Sequence, residues 1–171
     1  REGFVLAVGS LEPRKNLKAL MAVFSKMKQI RLLVVGEKNR VFSEFLNSVD
    51  IPDNIEFTGR VSDETLVEFY NKASLFVYPS LSEGFGIPPL EAQACGCPVL
   101  VSKVTSLPEA CGDSAIYCDP ANVDDILKKI ETILANPKIQ RDLREKGFKN
   151  VQRFSWQRSA IGLINVLEKN I

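Results

Sequence analysis

The sequence predicts an α/β protein with a doubly wound, six-stranded parallel sheet and helices on both faces. Three observations lead there. Short apolar runs alternate with helical patterns along the chain. The runs are continuous in apolar residues, as strands buried on both faces require. Polar segments that carry half of the glycines gather at the carboxyl ends of the runs, where open parallel sheets build their sites. At 171 residues the chain has the size of one domain, and it is read as a single unit over residues 1–171.

"FVLAVG" (Phe4 to Gly9) reads as a buried strand. "NLKALMAVFSKMK" follows with Leu17, Leu20, Met21, Phe24 and Met27 at helical spacing. "RLLVVG" (Arg31 to Gly36) is the second strand, "VFSEFLNSV" a short helix, and "IEFTG" (Ile55 to Gly59) the third strand. "DETLVEFYNKA" is a helix capped by Ser62 or Asp63. "LFVYPS" (Leu75 to Ser80) is the fourth strand, and a helix is expected from about Pro88 to Cys95. "PVLVS" (Pro98 to Ser102) and "AIYC" (Ala115 to Cys118) complete the six. Three helical patterns finish the chain: Val123 to Ala135, Lys138 to about Val151 and Trp156 to about Lys169, with Asn136-Pro137 separating the first two.

Composition narrows the partners. A net charge of +1 gives no case for nucleic acid. No apolar run reaches the roughly 18 residues that span a bilayer, and there is no signal-peptide pattern. The chain opens on Arg1 and not Met, so it is expected to be a fragment whose parent can carry targeting signals. Cys95, Cys97, Cys111 and Cys118 read as reduced core residues, because a chain that is 45% apolar needs no disulfide staples and Cys-Gly-Cys lacks common zinc spacing. There is no histidine, so any acid or base within the chain is a carboxylate or another side chain.

Two strand ends carry candidate chemistry. In "GSLEPRKN", Arg14 and Lys15 stand just before a helix expected near Asn16. Cations there oppose the helix dipole by about 0.3–1 kcal/mol each. A phosphate would reverse the sign, since it meets both the cations and the free amides. Solvated surface charge is the competing reading. The segment is neither a Walker loop nor a dinucleotide fingerprint.

In "EGFGIPPLE", Gly84 and Gly86 permit positive φ and close ligand approach, and Pro88 and Pro89 suit a first helical turn. The amides around Phe85 to Ile87 would be free to face an anion. Glu91, in the first turn or just past it, could accept hydrogen bonds from a sugar diol; Glu83, before the turn, could accept them from a second sugar. Helix-dipole stabilisation by Glu91 and a solvated Glu83 are the alternatives. The side chains of Phe85 and Ile87 read as packing residues.

The pieces "VGSLEPRKN", "LLVVGE", "IEFTGRVSDETLVEFYNKASLFVYPS", "EGFGIPPLEAQACGCPVLVS", "SLPEACGDSA" and "FSW" together resemble the C-terminal domain of the family 4 retaining glycosyltransferases. These enzymes have two facing Rossmann-like domains, the GT-B fold. The resemblance covers roughly residues 4 to 160, and the two glutamates with seven residues between them, Gly-Phe-Gly included, are its most specific element. It implies that Glu91 binds the nucleotide ribose and Glu83 the transferred sugar. Lys15 would bind the diphosphate, with the backbone of Gly84, Phe85, Gly86 and Ile87 meeting diphosphate and sugar. Gly9 and Ser10 would line the donor site, and the backbone around Arg60 and Val61 would border the base. Ser10 stands where the family commonly has an arginine, and Arg14 could supply that charge.

The resemblance further implies a donor half, with GDP- or UDP-sugar as substrate and no cofactor or metal. The acceptor, a cell-surface glycan or lipid-linked oligosaccharide, would bind an N-terminal domain that this chain lacks. Residues 154–171 would cross toward that domain and leave an apolar patch. The fragment alone would be inactive, cytoplasmic or peripheral at the inner face of a membrane, and any membrane contact would come through the missing half. An epimerase or phosphorylase of the same two-domain design, or a non-catalytic nucleotide-binding module, remains the alternative.

Overall fold

The computed structural model describes residues 3–10, 12–37 and 50–169. The predicted helix "VFSEFLNSV" lies outside them. Six strands, β1 (Phe4–Val8), β2 (Arg31–Val35), β3 (Ile55–Gly59), β4 (Leu75–Tyr78), β5 (Val99–Ser102) and β6 (Ile116–Cys118), form one sheet in the order β3-β2-β1-β4-β5-β6. Every pairing is parallel. The order turns outward in both directions from β1 and β4, which is the topological switch of a doubly wound sheet.

Among the described residues the α-helices are α1 (Leu17–Lys26), α2 (Asp63–Lys72), α3 (Ile87–Ala94), α4 (Leu107–Cys111), α5 (Val123–Ala135), α6 (Pro137–Val151) and α7 (Trp156–Glu168). Strand residues alternate between two cores. Val5, Leu32, Val34, Leu75, Val77 and Leu100 face α1 and α5, whose Leu20, Phe24, Ile126, Ile130 and Ile133 fill that side. Phe4, Leu6, Leu33, Phe76, Val99 and Val101 face the other way, with Tyr70 of α2, Ala92 of α3 and Leu107 of α4. The sheet is therefore covered on both faces, as its apolar runs predict.

Local chemistry fixes the helix starts. Ser62 caps α2 by accepting from the Thr65 amide. Asn122 caps α5, Asn136 caps α6 and Ser155 caps α7 in the same way. Pro137 is the first residue of α6 and not a spacer, a position where its missing N–H costs nothing. α4 is a helix that the apolar pattern does not reveal, because five residues are too few to show a period.

All four cysteines are free; Cys97, Cys111 and Cys118 are buried, while Cys95 is half-buried. Burial pushes the thiols of Cys111 and Cys118 up to about 12, which keeps them inert near neutral pH. A buried polar knot ties α3 to α6: Asn150 Nδ2 donates to Gln93 Oε1 at 2.8 Å and to the Ala110 carbonyl at 2.9 Å, and Gln93 Nε2 donates to Ser114 Oγ at 2.8 Å.

Helix α7 is different. None of its residues is buried, Trp156 is 86% exposed, and Ile161, Leu163, Ile164, Val166 and Leu167 stand in solvent. The apolar patch expected there is present.

Candidate functional site

The site begins at the switch between β1 and β4. Gly9 ends β1 with φ +145°, and its amide donates to the Val35 carbonyl at 2.9 Å. The chain then passes Ser10 and makes one 3-10 turn, Pro13–Lys15, before α1. Asn16 takes the left-handed conformation, φ 58°, so its side chain does not cap α1. Its Nδ2 instead donates to the carbonyls of Pro79 at 3.0 Å and Pro120 at 2.8 Å. Asn16 thereby fastens the 13–16 turn to the end of β4. A side chain at residue 9 would meet Lys15 Cε at 3.2 Å, so a glycine there lets the lysine lie along the strand end.

Lys15 and Arg14 converge on one carboxylate. Lys15 Nζ donates to Glu83 Oε1 at 2.6 Å, and Arg14 Nη1 donates to Glu83 Oε2 at 3.0 Å. The Glu83 and Lys15 side chains are only 7% and 14% exposed. Arg14 is exposed and also bonds Glu12 at 2.7 Å. Burial would raise the Glu83 carboxyl, but hydrogen bonds led by the one from Lys15 outweigh it and hold the group below the usual carboxylate range. The two cations therefore face an anion, and the anion is Glu83. The solvated reading of Glu83 does not describe this geometry.

The loop around Glu83 is pinned from both sides. The Leu81 amide donates to the Arg14 carbonyl at 2.7 Å. The Glu83 amide donates to Thr105 Oγ1 at 3.1 Å, and Ser106 Oγ donates to the Glu83 carbonyl at 3.1 Å. Gly86 has φ +99° and is the residue before α3; a Cβ there would meet Leu107 Cδ2 at 2.7 Å. Gly84 behaves otherwise. It has no positive φ, and a Cβ on it would meet nothing within 4 Å. Of these two, only Gly86 needs to be glycine for the backbone.

Helix α3 starts at Ile87, so Pro88 and Pro89 occupy its first turn and offer no N–H. Among the described residues the amides of Gly84, Phe85, Gly86 and Ile87 have no protein acceptor. Phe85 is half-exposed, and its ring packs edge-on against Phe154 at 5.7 Å, next to the start of α7. The Ile87 side chain is exposed and not a packing residue.

Glu91 lies one position past the first turn of α3, so its charge contributes little to the helix dipole. It is exposed, and Oε2 accepts from the Tyr70 hydroxyl at 3.0 Å. At the far side of the sheet, Gly36 N donates to Gly59 O at 3.0 Å, which brings the end of β3 level with β2. Arg60 is exposed and Val61 half-buried there, and among the described residues neither bonds to the cluster.

Sequence reasoning missed Asn16, Tyr70, Tyr78, Thr105 and Ser106. Tyr78 had a signal, since it is the last residue of a strand that ends at the candidate crevice. The others had none: Thr105 and Ser106 meet Glu83 across 22 and 23 residues, and Asn16 reaches Pro120 across 104.

Known proteins share the family and the fold of this chain. A family profile described as "Glycosyl transferases group 1" matches residues 1–150. O-antigen chain mannosyltransferase B of Escherichia coli is 34% identical over 172 residues, which is 96% of this chain and 45% of that protein. Sucrose-phosphate synthase from Thermosynechococcus elongatus superposes with a TM-score of 0.86 at 28% identity, over 98% of this chain and 45% of the other. HepE of Anabaena, solved in complex with UDP and glucose, shares the fold with a TM-score of 0.82 at 17% identity, over 98% of this chain and 48% of its own. The chain thus spans less than half the length of each of these proteins.

Proposed function

Since the chain belongs to the glycosyl transferases group 1 family, we propose that it is the donor-binding half of a retaining glycosyltransferase that takes a nucleotide diphosphate sugar, GDP- or UDP-linked. The observation that carries this reading is the convergence of Lys15 and Arg14 on Glu83, beside the unpaired amides of residues 84–87.

The chemistry follows from charge. When the acceptor hydroxyl bonds to the anomeric carbon, the bond from that carbon to the phosphate oxygen breaks and its electron pair stays on the diphosphate. The acceptor proton passes to the leaving phosphate oxygen on the same face of the sugar, so no side-chain base is required and the configuration is retained. Lys15, Arg14 and the amides of residues 84–87 offset the negative charge that develops. These cations supply the charge that a metal would otherwise bring, so the reaction is proposed to be metal-independent. The diphosphate competes with Glu83 for the two cations, which leaves the Glu83 carboxylate to accept hydrogen bonds from the sugar hydroxyls. Glu91 accepts from the ribose hydroxyls. The backbone of Arg60 and Val61 borders the base, and Gly9 and Ser10 floor the site.

The E. coli relative is named as an O-antigen chain mannosyltransferase, which supports mannose as the sugar and a glycan chain as the acceptor; a lipid-linked oligosaccharide is the other acceptor proposed. Apolar α7 is proposed to cross to an N-terminal acceptor domain, at the cytoplasmic face of a membrane. Calorimetric titration of the chain with UDP, GDP and their sugars tests the reading. Binding of one nucleotide series is expected; no heat from any of them at millimolar concentration would refute it.

A further inference from the structure

Under the site runs a row of three aromatic side chains that joins its two halves. Tyr70 on α2 is 1% exposed and meets Phe76 of β4 edge-on, with ring centroids 5.5 Å apart. Phe76 stacks on Tyr78, with centroids 5.7 Å apart and an interplanar angle of 26°. Tyr78 is 3% exposed. The row is core, yet each terminal hydroxyl emerges against a side chain of the site. The Tyr70 hydroxyl donates to Glu91 Oε2 at 3.0 Å, and the Tyr78 hydroxyl accepts from Lys15 Nζ.

We infer that Tyr70 and Tyr78 are positioning residues for a nucleoside diphosphate, Tyr70 by aiming Glu91 at the ribose and Tyr78 by aiming Lys15 at the diphosphate. The inference rests on the roles given above to Glu91 and Lys15. Its physical basis is rotamer freedom. Glu91 is an exposed glutamate on a helix surface, and without a partner its carboxylate would sweep several rotamers that binding must freeze out. Tyr70 takes one oxygen and fixes the plane of the group; among the described residues Oε1 has no partner and stays available. Lys15 ends in a flexible ammonium with three donors. Tyr78 takes one and Glu83 another, which leaves the third to aim.

Both phenols can serve this purpose because both keep their protons. Burial, joined by the neighbouring carboxylate charge, raises Tyr70 and Tyr78 well above the ordinary tyrosine value. Tyr70 is therefore a permanent donor to a carboxylate. Phe76 between them holds the two rings at a fixed separation, so the ribose end and the phosphate end of the site share one rigid footing.

A tyrosine that served only the core would affect all ligands alike. The test is therefore a ratio of affinities within each variant. Calorimetry of the chain with UDP and GDP, their 2′,3′-dideoxy forms, and UMP and GMP reads it out. Tyr70→Phe is expected to weaken the ribose diphosphate about 5–10-fold, the size of one ordinary hydrogen bond, and to leave the dideoxy form unchanged. Tyr78→Phe is expected to weaken the diphosphate by a similar factor and to leave the monophosphate unchanged. Because both ligands meet the same folded fraction, partial unfolding cannot imitate either ratio. Equal losses for both ligands of a pair, or no loss at all, overturn the inference.

The underlying reading is judged by separate variants. If Glu91→Ala leaves the ribose preference intact, or Lys15→Ala leaves the diphosphate preference intact, the roles of those residues are wrong and the inference falls with them. If those two variants lose their preferences while the tyrosine variants keep theirs, only the inference fails. In a Glu91→Ala background, Tyr70→Phe should add no further loss in affinity.

Discussion

Lys15 Nζ stands 2.6 Å from Glu83 Oε1, although 68 residues separate the two in the chain. The pair forms because β1 and β4 are neighbours in the sheet, and each sends its following loop over the same carboxyl edge. A cation at the end of one strand and an anion at the end of the next meet where two helices begin. The bond has consequences for stability as well as for ligand binding.

Glu83→Gln should destabilise the chain by about 1–3 kcal/mol at neutral pH, since it removes a mostly buried charge and one of the two oxygens that accept from Lys15 and Arg14. The Glu83 carboxyl is held below its ordinary value in the folded chain, so its contribution is present above the unfolded glutamate value of about 4.3 and is lost as pH falls below it. Urea unfolding of both proteins from pH 7 to pH 3 checks this. The gap between them should stay constant down to about pH 5 and then close; a gap that widened with acid would contradict the assignment.

Glu83→Ala and Glu91→Ala should separate sugar from nucleotide. Loss of Glu91 is expected to weaken bare nucleotide and nucleotide sugar alike, about tenfold or more. Loss of Glu83 should weaken the nucleotide sugar more than the bare nucleotide. Parallel titrations with UDP, UDP-glucose, GDP and GDP-mannose measure the split, and identical losses in both variants would count against it.

Gly86→Ala and Gly84→Ala should diverge despite their shared motif. Residue 86 has φ +99°, and a Cβ there collides with Leu107 Cδ2 at 2.7 Å. A loss of about 1–3 kcal/mol is expected, together with weaker nucleotide binding. Residue 84 is open, so alanine there should stay within about 0.5 kcal/mol of the parent. Urea midpoints for the two variants settle the comparison.

Asn150→Ala should cost about 2–4 kcal/mol, because it strands Gln93 Oε1 and the Ala110 carbonyl in the interior. Asn150 lies 57 residues from Gln93, so a thermal melt reports on the docking of α6 against α3 and not on local helix propensity. A melt unchanged from the parent would show that the knot is dispensable.

Removal of residues 156–171 should leave the unfolding free energy within about 0.5 kcal/mol of the parent, since no residue of α7 is buried. Hydrogen exchange should find α7 amides the least protected of the helices and those of β1 among the most protected. Strong protection across α7 in the monomer would overturn this.

Much of the candidate site's local geometry was legible before the fold. "EGFGIPPLE" carried its own location, because a glycine turn after a four-residue apolar run and two prolines ahead of a helix have local meaning. The spacing of Glu83 and Glu91 followed from that, as did the free amides between them. What stayed hidden was the partner of each glutamate. Glu83 was legible as a hydroxyl acceptor but not as the counterion of two cations, and nothing in the pattern of α2 marked Tyr70 as the residue touching Glu91. Helix α4 was missed because it is short, and Gly84 was assigned a freedom that only Gly86 uses.

The sequence by itself determined the six strands and their burial on both faces, and it pointed to the carboxyl edge as the candidate site. These follow from periodicity, turn residues and capping, which act over a few residues. Only the tertiary structure decided which loops share that edge. The order β3-β2-β1-β4-β5-β6 sets β4 beside β1 and so brings Glu83 to Lys15 and Arg14. Strand order depends on how two faces of apolar side chains pack together, a cooperative property of the whole sheet that no local window contains.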